Sequence, residues 1–227
     1  MQVRSRFRGT LGVGVLAVAL VAAACSSSSD DRAARKDGVP QISVTDAANR
    51  QEALRTDMRK LWEDHVTWTR LFIVSAAAGA PDTDATAQRL LQNQDDIGNA
   101  IKPLYGDAAG SQLTALLRDH ILTAADILSA AKAGDTAKVG TAKDRWYANA
   151  DEIGGFLAQA NPVNWPADEM RTMMREHLDL TLSEAVNQLN GDWAAGIADY
   201  DRIHVQILGM ADMLTDGIVA QFPNQFS

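Results

Sequence analysis

Cysteine is nearly absent from this chain, which has one cysteine among 227 residues. A single cysteine excludes an intramolecular disulfide and any metal or iron–sulfur site built from several cysteines. Basic residues are also few, with 21 Lys and Arg against 29 Asp and Glu and a net charge of -8. This balance argues against a nucleic-acid-binding protein, because such proteins present a basic face to the phosphates.

Strand patterns and catalytic motifs are missing as well. The chain has six prolines, and no segment of useful length alternates polar with apolar residues, so an all-β fold is not expected. It contains no glycine-rich phosphate loop, no Gly-x-Ser-x-Gly elbow and no His-Glu-x-x-His zinc motif. We therefore assign no catalytic residue and favour a non-enzymatic protein. A hydrolase or transferase with an unrecognised site stays an open alternative.

The N-terminus has the pattern of a signal peptide. The first eight residues hold three arginines and no acidic residue, and residues 11–21 are uncharged. That apolar run suits a signal peptide and is too short to span a bilayer. The next four residues, Ala22-Ala23-Ala24-Cys25, resemble the lipobox of bacterial lipoproteins. We predict a lipoprotein signal peptide over residues 1–24.

The lipobox resemblance implies that Cys25 carries the lipid and, usually, that the new amino terminus is acylated too. Residues 25–44 are rich in serine and charge, cannot build a core, and are predicted to form a lipidated flexible tether. Several acyl chains anchor a protein stably, so we expect localisation at the cell membrane on its extracytoplasmic side. The alternative is an ordinary secretory signal cut near Ala24, with Cys25 as a free thiol.

Residues 45–227 predict one all-α domain, because apolar residues recur throughout with the helical period. Short connections make neighbouring helices antiparallel, so we expect a six-helix antiparallel bundle. Pro223 is expected to end the ordered helices, and Trp165, which lies in the longest break, is expected to be an exposed contact residue. The predicted helices are Asp46–Ala78, Thr83–Leu104, Ala108–Ala133, Thr136–Ala160, Pro166–Asn190 and Trp193–Gln221.

An internal repeat is the most informative feature of this domain. Each copy has two apolar residues, two charged residues ending in an acid, a histidine and an aliphatic residue. In each copy the histidine stands 14 residues before a glycine that ends the helix. The repeat predicts that the bundle consists of three related helical hairpins. The three segments are Leu61–Val66, Leu116–Ile121 and Met173–Leu178.

The repeat also predicts a buried polar or ligand cluster. All four histidines continue apolar stripes, and residues equally far from a turn face each other in an antiparallel hairpin. This pairing places asparagines opposite two of the histidines, with aspartates about one turn away. The candidate cluster consists of His65, His120, His177, His204, Asn93, Asn149, Asp95, Asp151 and Asp212.

Two interpretations of the histidines stay open. In the structural one, a neutral buried imidazole is hydrogen-bonded to an amide, a carboxylate or a carbonyl and fixes the helix register. In the functional one, His65, His120, His177 and His204 hold a metal or a cofactor such as haem inside the bundle, or form a proton-handling site. The motifs themselves predict no cofactor, because the Glu-x-x-His pairs of di-iron bundles and the Cys-x-x-Cys-His haem attachment are missing. Methionines near the last two histidines suit copper(I) but usually fill cores.

Four segments resemble an uncharacterised family of all-helical bacterial proteins. Some members carry enzyme labels such as glycosyltransferase, but a nucleotide-sugar enzyme should alternate strands with helices. We therefore expect a lipid-anchored cell-envelope bundle that binds a small-molecule ligand or another envelope protein, and no nucleic acid. A metal- or haem-binding bundle is the alternative. The segments are Leu61–Arg70, Asn93–Pro103, Trp146–Asp151 and Asp212–Pro223.

Overall fold

The computed structural model describes residues 44–227. The predicted signal peptide, Cys25 and the tether up to residue 43 lie outside the described residues, so the lipid anchor stays a prediction. All regular structure in the described part is helical, which confirms the all-α fold class. The helices are α1 Val44–Ala78, α2 Thr83–Lys132, α3 Thr136–Ala160, α4 Ala167–Asn190, α5 Trp193–Gln221 and α6 Pro223–Phe226.

Helix α2 combines two of the predicted helices. Gly106 has φ 85° and ψ 164°, far from helical values, so the chain bends sharply there. Only glycine adopts such a positive φ without strain, and Pro103 just before it lacks a backbone N–H. The predicted boundary is therefore a kink between two helical halves, residues 83–105 and residues 107–132, and not a loop.

The helices pack in chain order and close into a ring. Each of α1 to α4 contacts the next helix, and α5 packs back against α1. Helices α1 and α4 also touch, which brings the histidine-bearing helices together in the interior. The two halves of α2 approach closely at Gly98 and Gly110, where an added Cβ on Gly98 would lie 2.6 Å from the Gly110 carbonyl oxygen.

Two expectations about the chain after α3 are wrong. Trp165 is 3% exposed and belongs to the core, and an added Cβ on Gly217 would lie 2.0 Å from its Nε1 atom. A glycine on α5 therefore opens the space that takes this indole. Pro223 does not end the helical structure but begins α6. The carbonyl of Phe226 accepts a hydrogen bond from Gln51 at 3.0 Å, which fastens α6 to α1.

Helix α5 is long and apolar enough to cross a membrane by length and composition alone. A core helix of a folded domain meets the same criterion. Within the bundle, 44% of the apolar window of α5 is already buried. Ile203, Ile207 and Leu214 of this helix belong to the hydrophobic core, which accounts for its apolar character.

Candidate three-histidine site

His65, His120 and His177 meet in one layer inside the bundle. They lie on α1, on the second half of α2 and on α4. The ring centroids are 5.6 Å apart for His65 and His177, and 6.4 Å apart for each of the other two pairs. The three side chains are only 2–4% exposed. The equal positions of the histidines in the sequence repeat thus become equal depths in the bundle.

His120 is held by an amide from the next helix. Its Nδ1 atom lies 3.1 Å from Asn149 Oδ1, and Asn149 Nδ2 donates to the Leu116 carbonyl at 3.0 Å. Because the NH₂ group of the amide is used on the backbone, its oxygen faces the imidazole. An oxygen accepts only, so Nδ1 of His120 carries the proton and Nε2 keeps the lone pair.

His177 has the same arrangement with a glutamine. Its Nδ1 atom lies 3.2 Å from Gln206 Oε1, and Gln206 Nε2 donates to the Met173 carbonyl at 3.1 Å. As with His120, the carbonyl that receives the amide belongs to the residue four positions before the histidine. Nδ1 of His177 is therefore also the protonated nitrogen, and Nε2 again keeps the lone pair.

The first copy of this arrangement is incomplete. Asn93 Nδ2 donates to the Leu61 carbonyl at 3.0 Å, four residues before His65, as the pattern requires. The Asn93 oxygen, however, accepts from Gln94 Nε2 at 3.1 Å and does not reach the imidazole. His65 Nδ1 and Gln94 Oε1 are both buried without a hydrogen-bond partner. In the other two copies an amide oxygen accepts from the histidine Nδ1 atom. In the first copy Gln94 occupies the Asn93 oxygen instead.

Burial keeps the three histidines neutral. Loss of hydration lowers the pKa of His120 to about 3 and the pKa of His177 to about 4. It also holds the pKa of His65 well below its ordinary value, and repulsion from the other two imidazoles lowers it further. No carboxylate contributes to these three pKa shifts. A neutral imidazole is the form that binds metals.

Asp95 and Asp151 lie outside the cluster, contrary to the sequence prediction. Asp95 accepts from Arg118 Nη1 at 3.2 Å, and Asp151 accepts from Arg175 Nε at 2.9 Å. Both carboxylates are about one-third exposed. Each stands two residues after an inward-facing asparagine, and two residues rotate a side chain by about 200° around an α-helix. The aspartates therefore face outward.

His204 and Asp212 also lie outside the cluster in which the sequence prediction placed them. His204 Nε2 lies 2.9 Å from Glu63 Oε1 in a partly exposed pair, and Asp212 accepts from Arg59 Nε at 2.7 Å. His204 precedes the inward-facing Gln206 by two residues, so the same rotation of about 200° turns it outward. Of the four histidines, three therefore converge and His204 does not.

The sequence prediction did not include two residues of the site, Gln94 and Gln206. The signal for Gln206 was present, because it follows Asn149 by the same 57 residues that separate His120 from His177. The sequence prediction instead assigned this position in the cluster to His204, two residues earlier. Gln94 has no counterpart in the repeat, so only its contacts identify it.

The histidine layer is close to a metal site but is not one as it stands. Among the described residues, no three His, Cys, Asp or Glu side chains could hold a metal ion in their present geometry. Zn–N bonds of about 2.0–2.1 Å would place three imidazole centroids about 5.2–5.5 Å apart. The pair of His65 and His177 is at 5.6 Å, and the other two pairs are wider by about 1 Å.

Two small apolar cavities lie near the layer. Thr69 and Thr181, one turn after His65 and His177, border a cavity of about 40 Å³. Met58 and Trp62, before His65, border another of about 20 Å³. The three histidines themselves line neither cavity.

Comparison with known proteins identifies no family for this chain. The resemblance to an uncharacterised bacterial family, like the lipobox, therefore stays a prediction from the sequence. No protein-family model, curated protein or solved structure matches the chain.

Proposed function

We propose that this domain binds one transition-metal ion through the Nε2 atoms of His65, His120 and His177. The observation that carries the proposal is the meeting of three neutral imidazoles whose ring centroids lie within 6.4 Å of each other. Metal-binding histidines usually donate their other N–H to an oxygen, which fixes the tautomer and orients the ring. Asn149 and Gln206 supply that oxygen for two of the three rings.

The hydrogen bonds that hold His120 and His177 use the Nδ1 atom of each ring. The lone pair of each Nε2 atom is therefore available to a ligand. His65 differs, because its Nδ1 atom is buried without a hydrogen-bond partner, so no amide oxygen fixes the tautomer of this ring.

The closeness of the three rings favours a bare ion over haem. Their centroids lie 5.6–6.4 Å apart, whereas a cofactor of the size of haem needs a pocket of about 300 Å³ or more. An ion needs only a movement of the imidazoles toward each other by about 1 Å, which side-chain rotation on fixed helices can supply.

We also propose that the site lies in the cell envelope, on a domain held at the extracytoplasmic face of the membrane. This part of the proposal is supported by the sequence before the bundle, where Ala22-Ala23-Ala24-Cys25 resembles a lipobox. A tethered bundle with an enclosed ion suits metal capture or carriage, and needs no catalytic group.

Equilibrium dialysis of the full-length Cys25→Ser protein in detergent tests the proposal, since this variant lacks the one thiol that could bind metal by itself. Zn(II), Co(II) and, without oxygen, Cu(I) are each offered alone. We expect one bound ion per chain for at least one of these metals. His65→Gln, His120→Gln and His177→Gln should each lower the affinity by at least about 100-fold.

His204→Gln is the matched control, because His204 is paired with Glu63 at the surface and should bind metal like the parent protein. Circular dichroism shows whether each variant keeps its helices. Absence of binding for all three metals contradicts the proposal. So does full binding by a folded protein in which all three buried histidines are replaced.

A further inference from the structure

The solvent-facing side of the third hairpin, formed by α4 and α5, carries an open groove of about 680 Å³. Met173 and Leu180 on α4, together with Val205 and Gly209 on α5, give it an apolar lining. Val205 is 73% exposed, so the fold itself does not bury this side chain. An apolar groove between polar rims is typical of a surface that binds another molecule.

The sequence repeat shows that this lining belongs to the third hairpin alone. Leu180, Val205 and Gly209 replace a hydroxyl, a methyl and a carboxylate side chain of the second hairpin. Val205 and Gly209 are both exposed, so packing of the core does not require these replacements. The corresponding residues of the second hairpin, 57 positions earlier, are Thr123, Ala148 and Glu152.

The rim of the groove is acidic. Glu176 on α4 and Asp201 on α5 line it, and neither forms an ion pair with another of the described residues. Arg202 also lines the groove, but its charge is balanced by an ion pair with the buried Asp199. The groove therefore presents two negative charges that the domain does not neutralise.

The second hairpin pairs the equivalent acid with a base. Asp119, the counterpart of Glu176, lies 3.8 Å from Arg145. Arg202 has the position of Arg145 in the repeat, but it pairs with Asp199. Glu176 is thus left for a partner outside the domain.

We infer that this groove binds a basic amphipathic helix of a partner protein. The lining residues extend over about two helical turns on each of α4 and α5. A third helix fits between two packed helices when its apolar side chains, spaced three and four residues apart, enter the groove. Lysines or arginines beside that apolar stripe would meet Glu176 and Asp201 at the rim.

The charge of the rim favours this occupant over the two other candidates. A second copy that brought the same face to the groove would place Glu176 and Asp201 opposite like charges. The anionic surface of a membrane would repel them as well. The inference is independent of the proposed metal site, because it uses none of the three buried histidines.

Two synthetic peptides of about 18 residues test the inference. One consists of leucine and lysine with leucine at the helical period, and the other has glutamate in place of lysine. The full-length Cys25→Ser protein is attached to a sensor surface, and detergent is washed away before the peptides are added. We expect the lysine peptide to bind, and the glutamate peptide to bind at least about 10-fold more weakly.

Variants of the groove locate the binding. Val205→Asp should weaken binding of the lysine peptide by at least about 10-fold, and Glu176→Lys combined with Asp201→Lys should reverse the preference between the peptides. Val163→Asp is the matched apolar control, because Val163 is 85% exposed and lies outside the groove. Asp144→Lys is the matched charge control, because Asp144 is the counterpart of Asp201 in the second hairpin. Both controls should bind like the parent.

Four results overturn the inference. They are no binding of the lysine peptide, equal binding of both peptides, groove variants that bind as tightly as their controls, and a dimer of the parent that Val205→Asp abolishes. The last result, measured by sedimentation in detergent, would assign the groove to a second copy. Circular dichroism shows that each variant keeps its helices. None of these results bears on the metal site, which has its own test.

Discussion

Single amide side chains decide which nitrogen of His120 and of His177 is free. Asn149 is 3% exposed and bridges His120 Nδ1 to the carbonyl of Leu116. An apolar residue in its place leaves both buried groups without a partner. The tautomer of His120 is then no longer fixed, and the ring loses the contact that orients it. Asn149 is thus a positioning residue for the proposed ligand.

Asn149→Leu tests this role. We expect the free energy of unfolding to fall by about 2–4 kcal/mol, because two buried groups lose their partners. Metal affinity should fall by about 10–100-fold. Urea unfolding and metal titration measure the two effects. Asn99→Leu, the same change at an exposed position of α2, should alter neither by a comparable amount, and equal effects at both positions would refute the assigned role.

The buried histidines also make the metal-free protein sensitive to acid. Their folded pKa values, about 4 for His177 and about 3 for His120, lie below the value of about 6.5 in an unfolded chain. The unfolded state therefore binds more protons as the pH falls from about 6.5 to about 4, and the free energy of unfolding decreases over that interval. Glu184, with a pKa raised to about 7 by burial, acts in the opposite direction.

Urea midpoints between pH 7 and pH 4 check this expectation. The parent protein should lose stability steadily as the pH falls, and His177→Gln should lose less because one titrating group is gone. Glu184→Gln removes the opposing group and should make the loss steeper. A parent protein whose stability is constant over this interval, or a His177→Gln variant with an unchanged slope, would contradict the pKa assignments.

At the scale of the helices, the sharpest requirement is the close approach of the two halves of α2. An added Cβ on Gly98 would lie 1.9 Å from Thr114 Oγ1 and 2.6 Å from the Gly110 carbonyl oxygen. Thr114 could rotate away, but the Gly110 carbonyl is backbone and moves only with its helix. The kink at Gly106 thus depends on small residues on both sides of it.

Gly98→Ala should therefore destabilise the protein by about 2 kcal/mol or more, although alanine favours a helix by about 1 kcal/mol over glycine. Gly209→Ala on α5 is the matched control, because nothing lies within 4 Å of the added Cβ. That variant should be slightly more stable than the parent. Urea unfolding of both variants separates the two outcomes, and a stabilised Gly98→Ala protein would show that the halves of α2 are not tightly packed.

Helix ends were predictable because local chemistry fixes them. Gly79, Gly134 and Gly191 all have positive φ values between 65° and 80°, which glycine tolerates best, and each ends a helix where the sequence placed the end. Trp165 was not predictable from its local sequence. Its burial depends on the space at Gly217, more than 50 residues later in the chain.

The candidate site was predictable to the level of the helix face but not of the individual residue. The repeat identified the three histidines and both asparagines, because identical offsets from a turn give identical depths. It failed for His204 and Asp95, because an error of two residues rotates a side chain by about 200° and turns it from the core to the surface.

At the scale of the whole molecule, the ring of helices depends on its core more than on its surface charges. Three exposed ion pairs join helices of neighbouring copies of the repeat. In two of them the histidine-bearing helix supplies the basic residue, and in the third it supplies the acidic one. Exposed pairs of this kind contribute little to stability, so they set the register of the helices more than the stability of the fold. The pairs are Arg118 with Asp95, Arg175 with Asp151, and Glu63 with His204.

Membrane attachment is the other property of the whole molecule that can be tested. If Cys25 carries the lipid, Cys25→Ser should remain unprocessed and lose its acyl label, whereas Ser27→Ala should be processed and labelled like the parent. Palmitate labelling followed by electrophoresis measures both. An unchanged label on Cys25→Ser would refute the lipoprotein prediction.

The central claim is that three imidazoles share one ion, and a crystal structure of the metal-loaded protein with anomalous data tests it most directly. The claim predicts one anomalous peak, about 2.0–2.1 Å from the Nε2 atoms of His65, His120 and His177, with Asn149 and Gln206 still bound to Nδ1. An anomalous peak at other side chains would contradict it. So would three imidazoles whose ring centroids stay 5.6–6.4 Å apart with no anomalous peak between them.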